Sequence, residues 1–464
     1  MHSAAVGSPP HKAVAGGGGI MAERRELLVI GAQFTGTFVA REMKADFRVT
    51  VVDAKEYMEY TPGILRAFVK PAHLDALTFL LEPVLTKRLG VRFLAGEVKR
   101  LDTQCADVKI PSSGGQMLRL HFDYCIVCSG CNFGPYHQWG ESLWAPTVLE
   151  EARQESEWGH IDERFLEGRK QHILAEHECI RALNKQKAAI LTVGAGFIGV
   201  EWVTELNYFF RDLDLTIIDF LPRCLGGLPE SAANYCAKYM QAVGIKEHYC
   251  QKYTPQHQRF WENIGLPKKA SRTYTCIGVR ASNFFMPKET LSEKGPGGGG
   301  WIHFNQKLQV THKPAAGQAV GEVWGSGRVF AVGDCNYGCI GTAPNWVLAP
   351  VPKIAYPGEE QAYHACRNIR LLDQHLHREE GVSPVHLKDT WWPWGAGLFA
   401  TSLGVRDGCF VAGAERQRGG ANQPVGQRGS GLVVAWGGLA SFTKNFIERT
   451  KMMECQDKCL GKVL

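Results

Sequence analysis

Two stretches of the chain repeat one order of elements: a strand, a glycine turn, a helix and a second strand. The first stretch reads "ELLVIGAQFTGTFVAREMKADFRVTVVDA", and the second, at residues 188–220, reads "AAILTVGAGFIGVEWVTELNYFFRDLDLTIIDF". In each, short apolar runs bracket a segment with helical spacing, which is typical of a βαβ unit. Gly31 and Gly194 lie 163 residues apart, so we expect two separate nucleotide-binding domains and not adjacent solenoid repeats.

The second stretch carries the full GxGxxG pattern as Gly194, Gly196 and Gly199. The first glycine permits the turn, the next lets a pyrophosphate approach the backbone, and the last lets helix and strand pack closely. Asp219 ends the following strand, where a carboxylate accepts hydrogen bonds from a ribose diol and repels a 2′-phosphate. The pattern predicts binding of NAD, with NADH preferred over NADPH; a purely structural glycine turn is the alternative.

The first stretch departs from this pattern at one position. It keeps Gly31 and Gly36, and Asp53 ends its second strand, but Gln33 replaces the second glycine. The motif by itself leaves a working site and a degenerate turn equally open. The candidate binding residues of this turn are Gly31, Ala32, Gln33, Phe34, Thr35 and Gly36.

Composition restricts the classes of protein that fit. The 464 residues are 45% hydrophobic and 21% charged, with a net charge of +6 and no block of five or six like charges, so we expect a folded protein without a nucleic-acid partner. We find no run of about 18 apolar residues, so no spanning helix is expected. The 15 cysteines accompany no secretory signal, which indicates reduced thiols in a cytoplasmic protein, with a mitochondrial location less well supported.

The sequence lacks the residues that several kinds of chemistry require. Residues 55–81 contain no cysteine, which argues against a dithiol relay after the first βαβ unit. Cys125 and Cys128 lie on a predicted strand, where positions three apart face opposite sides. Neither a zinc-type cysteine pattern nor an HExxH motif appears, and we expect no metal site.

A further strand, "GRVFAVGDCNY", ends in Gly-Asp at Asp334. Together with "VIGAQFTG", "DAKEYMEYTPGILRAFV", "FDYCIVCSG", "VGAGFIGVE", "YTCIGVRASN" and "PKIAYPGEEQAYHACRNI", in that order, it carries a family resemblance. The chain resembles the pyridine-nucleotide flavoprotein oxidoreductases, within them the apoptosis-inducing-factor-like and ferroptosis-suppressor-like group, with type II NADH dehydrogenases nearby. The resemblance covers about residues 26–455.

The resemblance implies FAD as a second cofactor and assigns roles to individual residues. The turn from Gly31 to Gly36 and Asp53 would hold the adenosine diphosphate half of FAD. Arg66 would reach the cofactor, Val98 would border the adenine, and Asp334 would bind the ribityl side. Lys353 would lie near the flavin and Glu201 near the nicotinamide or its ribose, and these two are the candidate catalytic residues. Arg66 and Lys353 also fit surface charges, and Glu201 also fits a first-turn helix residue that favours the dipole.

The expected fold is α/β, with two Rossmann-like domains and a small C-terminal α+β cap. We expect a flexible leader at residues 1–25 and an FAD domain in two parts, at 26–135 and 301–370. An NAD domain with a helical lead-in is inserted between them at 136–300, and the cap follows at 371–464. A basic helix is predicted at "SFTKNFIERTKMM" in the cap.

The expected activity is that of an FAD-dependent NAD(P)H oxidoreductase that passes electrons to a quinone-like acceptor or to oxygen. A nucleotide-bound signalling flavoprotein with little turnover is the alternative. A flavin monooxygenase would need its own fingerprint after the first domain, and we do not find it in the sequence. Type II dehydrogenases would carry paired glutamines where this chain has only Gln361, which weakens quinone transfer by that route. "WWPWG" and the terminal helix could contact a membrane surface, or simply pack against the protein.

Overall fold

The computed structural model of the chain describes residues 24–133, 146–154, 156–340, 347–350, 355–376, 386–389, 396–414 and 432–458. Lys353, "WWPWG" and the glycine-rich segment 415–431 lie outside the described residues.

The first part of the chain forms ten strands and three helices. In chain order they are β1 (Glu26–Ile30), α1 (Phe34–Met43), β2 (Arg48–Asp53), β3 (Tyr57–Glu59), α2 (Ile64–Val69), α3 (Leu74–Leu77), β4 (Thr78–Leu80), β5 (Arg92–Ala95), β6 (Glu97–Leu101), β7 (Cys105–Ile110), β8 (Gln116–His121), β9 (Tyr124–Val127) and β10 (Cys131–Phe133).

The middle of the chain is richer in helix. Its elements are α4 (Glu150–Gln154), α5 (Leu166–Lys185), β11 (Ala189–Val193), α6 (Phe197–Phe209), β12 (Asp214–Ile218), α7 (Glu230–Ala242), β13 (Lys246–His248), α8 (Gln258–Asn263) and β14 (Arg272–Thr275).

The chain then returns to strands and ends in an α+β segment. These elements are β15 (Val279–Ala281), β16 (Ile302–Phe304), β17 (Val329–Ala331), β18 (Asn336–Ile340), β19 (Val347–Pro350), α9 (Ala355–Leu376), β20 (Ala396–Leu403), β21 (Asp407–Ala414), β22 (Leu432–Trp436) and α10 (Gly437–Cys455).

Two parallel sheets contain the two βαβ units. The first has the strand order β17-β9-β1-β2-β5, and the second has the order β13-β12-β11-β14. Their strands are apolar runs buried on both faces, as in β1, where Leu27, Leu28 and Val29 are at most 2% exposed. In the first sheet one face packs against α1 and α9 and the other against the strands β6, β7 and β8, so its strands are apolar on both faces. The predicted α/β class with two Rossmann-like units is confirmed.

Smaller sheets connect and cover these two. Strands β6, β7 and β8 form an antiparallel meander, and β20, β21 and β22 form a second antiparallel sheet against which α10 packs. The predicted α+β segment at the C-terminus is therefore present, and α10 contains the predicted basic helix. The boundary expected at residue 370 falls inside α9.

The chain passes between the two parallel sheets through one pair of strands. β10 leads away from the first sheet, β15 leads back to it, and the two pair antiparallel with Cys131 opposite Ala281. We call β10 and β15 the crossover strands.

Helix length and hydropathy bear on membrane crossing. Within the described ranges, every helix is too short or too polar to span a bilayer.

Candidate active site

The two glycine turns have the same backbone geometry. Gly31 and Gly194 both have φ of +102°, a conformation that favours glycine. A Cβ on Gly36 would lie 1.8 Å from the carbonyl oxygen of Gly31, and a Cβ on Gly199 would lie 1.8 Å from that of Gly194. The first and third glycines are thus required by the turn and by the helix–strand contact in both units.

The position between them tolerates a side chain. Gly196 has φ of −74° and ψ of −169°, and an added Cβ would meet no atom within 4 Å. Gln33, at the equivalent position, has φ of −79° and ψ of −152°. Both conformations are open to any L-residue, so Gln33 causes no backbone strain.

The Gln33 side chain turns back into its own unit. Its amide nitrogen donates to the Asp53 carboxylate and to the Tyr57 carbonyl, each at 3.3 Å, and its amide oxygen accepts from the Glu59 backbone N–H at 3.0 Å. The glutamine therefore ties the turn to β2 and β3.

The two acidic strand ends also match. Asp53 accepts from the Ala32 N–H at 2.7 Å and from the Lys55 N–H at 2.8 Å. Asp219 accepts from the Ala195 N–H at 2.5 Å and from the Leu221 N–H at 2.7 Å. Each carboxylate is thereby fixed beside its glycine turn, where a ribose diol can donate to its remaining lone pairs.

The helices that follow the turns have N-terminal N–H groups available for an anion. Neither α1 nor α6 has a side-chain hydrogen bond at its N-cap. Free first-turn N–H groups and the helix dipole stabilise a phosphate placed there. With the open space at Gly196, these features fit a dinucleotide pyrophosphate at each turn.

Asp334 lies at the same edge of the first sheet as the Gly31 turn. It follows β17, which pairs with β9, and a Cβ on the preceding Gly333 would lie 3.2 Å from Thr35 Oγ1 at the start of α1. The Cys131 thiol donates to the Asp334 carboxylate over 3.8 Å. The structure thus brings together three predicted FAD residues, Gly31, Thr35 and Asp334, at the carboxyl ends of β1 and β17, which lie on either side of β9 in the first sheet.

Other predicted residues lie elsewhere. Val98 is buried in β6, opposite Val108 of β7. Arg66 in α2 forms an ion pair with Glu205 at 2.6 Å and donates to the Gly404 carbonyl at 3.2 Å. Burial alone would lower the pKa of Arg66, but the Glu205 carboxylate beside it outweighs burial, so the pKa is raised above its usual value. In the part of the chain that the structure describes, Arg66 is therefore held by α6 and the C-terminal segment.

Glu201 points to the C-terminal segment as well. Its carboxylate accepts from the Ser402 N–H at 2.9 Å and forms an ion pair with Lys444 of α10. The Lys444 ammonium also donates to Ser402 Oγ at 3.1 Å. Sequence reasoning missed Lys444, because no local pattern marks a lysine that meets its partner 243 residues away.

These contacts surround a small charged cavity between α2, α6, β20 and α10, which we call the junction cavity. It is lined by Pro62, Gly63, Leu65, Arg66, Glu201, Glu205, Ser402, Ser441, Lys444, Asn445 and Glu448. Near it, burial together with Glu448 and Glu201 raises the pKa of Tyr60, so its phenol stays protonated at neutral pH. The cavity therefore brings together residues from the first unit, the second unit and the C-terminal segment.

The described cysteines are free thiols. Burial raises the pKa of Cys125 and Cys128, so neither is a thiolate at neutral pH. Over the residues that the structure describes, no group of three or more metal-ligating side chains comes together.

Known proteins resemble the chain over most of its length. It is 22% identical over 373 residues to a type II NADH:quinone oxidoreductase of Staphylococcus epidermidis, a match that covers 75% of this chain and 83% of that protein. It is 27% identical over 340 residues to apoptosis-inducing factor homolog B of Dictyostelium discoideum, covering 68% of this chain and 75% of that protein.

Solved structures share the fold at low identity. A sulfide:quinone oxidoreductase of Aquifex aeolicus matches with a TM-score of 0.66 at 13% identity, covering 95% of this chain and 93% of that one. NDH2 of Plasmodium falciparum in complex with NADH matches with a TM-score of 0.59 at 12% identity, covering 94% and 98%.

The family model for pyridine nucleotide-disulphide oxidoreductases matches residues 25–365, well over half of the chain. Its cofactors, FAD and NAD(P)H, fit the two glycine turns, and the resemblance seen in the sequence is confirmed. The chain therefore belongs to the pyridine nucleotide-disulphide oxidoreductase family, as an FAD-dependent NAD(P)H oxidoreductase.

Proposed function

We propose that the chain is an NADH:quinone-type oxidoreductase in which the first unit holds FAD and the second unit binds NADH. The observation that carries this proposal is the pair of matched turns, each closed by a carboxylate, Asp53 or Asp219, fixed on a turn amide. Asp219 favours NADH because a 2′-phosphate beside a carboxylate is repelled. When bound, FAD would supply the redox chemistry that connects NADH to an electron acceptor.

The protein's own residues would bind, orient and shield. The amides at the start of α1 and α6 would hold the two pyrophosphates, and Asp334 would meet the ribityl side of FAD. Glu201, paired with Lys444, would border the nicotinamide end of the site and set the local charge there. Val98 beside the adenine, and Lys353 and Arg66 near the flavin, stay predictions.

A quinone-like acceptor is the finer part of the proposal. It is supported by relatives named type II NADH:quinone oxidoreductase. Gln361 is 1% exposed and accepts from the Gly333 N–H at 2.8 Å, so the proposal assigns it no contact with the acceptor. Oxygen remains the alternative acceptor.

A quinone in a bilayer requires contact with the membrane surface, and α10 offers a surface for it. Four apolar side chains on one face are between 44% and 66% exposed: Leu439, Phe442, Phe446 and Met453. We call this set the apolar stripe; exposed Arg449 lies along the same face. Helices that combine an exposed apolar face with cationic side chains are of the type that binds in the interface plane of a bilayer, and we therefore propose peripheral membrane contact through α10.

One experiment tests acceptor and membrane contact together. NADH oxidation is measured with a long-chain quinone in phospholipid vesicles and with water-soluble ferricyanide. Phe442→Ser/Phe446→Ser should lower the rate with the vesicle quinone and leave the ferricyanide rate unchanged. Met117→Ser, which changes an exposed apolar side chain on β8, is the control. An equal quinone rate in the double variant contradicts the membrane contact; no quinone reduction by wild type contradicts the acceptor.

A signalling flavoprotein with little turnover is the competing interpretation, in line with the apoptosis-inducing factor homolog among the relatives. The same assay separates the two, because a signalling protein would bind both nucleotides and yet reduce neither acceptor at an appreciable rate.

A further inference from the structure

Asn283, just after the returning crossover strand β15, has a side chain that is 2% exposed and fully used. Its amide oxygen accepts from Ser129 Oγ at 2.7 Å. Its amide nitrogen donates to the carbonyl of Cys335 at 2.9 Å and to that of Gly300 at 3.0 Å. One buried amide thus joins three separate parts of the chain.

Those parts meet at the proposed flavin site. Ser129 lies where the chain leaves β9 for the second unit, and Asn283 lies where it returns. Cys335 directly follows Asp334. Asn283 therefore connects both crossover strands to the turn that carries the proposed ribityl-binding carboxylate.

The other side of that turn is held by a second amide. Gln361 of α9 accepts from the Gly333 N–H and from the Asn336 side-chain amide, each at 2.8 Å. The Asp334 turn is thus fixed between α9 and the crossover. Buried amides whose bonds are all made specify one arrangement, because any displacement leaves polar groups unpaired.

We propose that Asn283 is a positioning residue for the flavin: it sets the Asp334 turn relative to the crossover, and through it both the retention of FAD and the alignment of the second unit with the flavin. The inference rests on the proposed placement of FAD at Asp334. It assigns Asn283 no contact with a substrate.

The chemistry of the three bonds requires an amide. Alanine would leave the Ser129 hydroxyl and the two carbonyls without a partner, which costs more than the loss of a solvent-exposed bond. Aspartate has the same shape and still accepts from Ser129, but it directs an oxygen at the two carbonyl oxygens. Asn283→Asp should therefore resemble Asn283→Ala and not wild type.

The test uses the holoprotein. FAD release is followed by the rise of flavin fluorescence, and anaerobic flavin reduction is followed over a range of NADH concentrations. Asn283→Ala should release FAD about tenfold faster or more and lower the limiting rate of flavin reduction. The NADH concentration giving half of that limiting rate should stay unchanged, because the second glycine turn is untouched.

Asn132→Ala is the matched control. Asn132 lies on the other crossover strand, and within the described residues its side chain donates a single long bond of 3.5 Å to Ser282, so its variant should behave as wild type. If Asn283→Ala fails to fold, Ser129→Ala removes one of the three bonds and should show a smaller increase in FAD release.

A folded Asn283 variant with wild-type FAD release and reduction overturns the inference; so does wild-type release in the Ser129 variant if the Asn283 variants do not fold. Failure of the proposed function has a different signature: wild-type protein itself would not retain FAD, or NADH would not reduce it.

Discussion

At the residue scale, the glutamine in the first glycine turn shows which part of the dinucleotide pattern is steric and which is not. Gly31 and Gly36 cannot carry a Cβ without a close clash with backbone, whereas Gln33 and Gly196 share an ordinary extended backbone. The sequence alone did not exclude a degenerate turn, because the glycine pattern does not reveal where the side chain of Gln33 points.

Gln33→Gly tests the importance of the glutamine amide. It removes the bonds to Asp53, Tyr57 and Glu59, so we expect a loss of about 1–3 kcal/mol in the free energy of unfolding. FAD release should not become slower. Denaturant unfolding and flavin fluorescence measure the two effects, and a variant that is as stable as wild type with slower FAD release would show that the glutamine weakens the site.

Asp219 is the residue proposed to favour NADH over NADPH. Asp219→Asn keeps the shape of the side chain but removes its charge, so kcat/KM should fall for NADH and rise for NADPH. The ratio of kcat/KM for NADH to that for NADPH should fall by about tenfold. Steady-state rates with both nucleotides measure the ratio. Equal efficiency of wild type with NADH and NADPH contradicts the assignment.

At the element scale, α10 presents two different faces. The apolar stripe faces outward, and the opposite side places Lys444 on Glu201 in the junction cavity. The sequence predicted a basic helix here, since its charges and periodicity are local. Which lysine reaches the second unit depends on the packing of β20 and β21 under the helix, and sequence spacing does not show that.

Lys444→Met should leave the Glu201 carboxylate largely buried and without its cation. Removing one partner of a buried ion pair costs about 3–5 kcal/mol, and flavin reduction by NADH should slow because the charge beside the proposed nicotinamide end of the site changes. Lys444→Arg should retain part of both the stability and the rate of flavin reduction. Arg449→Ala, on the exposed face of the same helix, serves as the control; identical thermal stability and reduction rates in Lys444→Met and wild type would rule out this role.

At the scale of the whole molecule, the two units are held together by buried contacts that the sequence does not indicate. Arg169 of α5 is 0% exposed and pairs with Glu59 of β3 and with Glu163, each at 2.8 Å. His172 Nδ1 lies 2.7 Å from the same Glu163 carboxylate. The helical lead-in to the second unit is therefore fixed to the first.

This network predicts a pH dependence of stability. Burial would raise the pKa of Glu163, but Arg169 and His172 outweigh it and lower the pKa to about 2. Because the folded pKa lies below the unfolded value near 4.5, the stabilisation is present above about pH 4.5 and is lost as pH falls towards 2. Its size is on the order of 3 kcal/mol.

Glu163→Gln should lose that contribution at neutral pH and show a flatter decline of unfolding free energy in acid. Glu178→Gln, on the exposed face of α5, is the matched control and should follow wild type. Parallel acid profiles for Glu163→Gln and wild type would show that the network does not stabilise the fold in this way.

The extent to which the sequence predicted the structure follows from the range of the interactions. The glycine turns, their closing carboxylates and the Gly-Asp turn were predictable, because each depends on residues adjacent in the chain or at the edge of one sheet. Arg66 was not, since its partner Glu205 lies 139 residues away. The partners of Glu201 and Gln361 were missed for the same reason.

In the proposed reaction, NADH bound to the second unit reduces a flavin bound to the first. The most direct measurement is anaerobic stopped-flow mixing of the FAD-loaded protein with NADH, observed at the visible flavin absorbance band. We expect this band to bleach within seconds, and to bleach more slowly when NADPH replaces NADH or when the Asp219→Asn variant is mixed with NADH. A flavin that stays oxidised in excess NADH would contradict it.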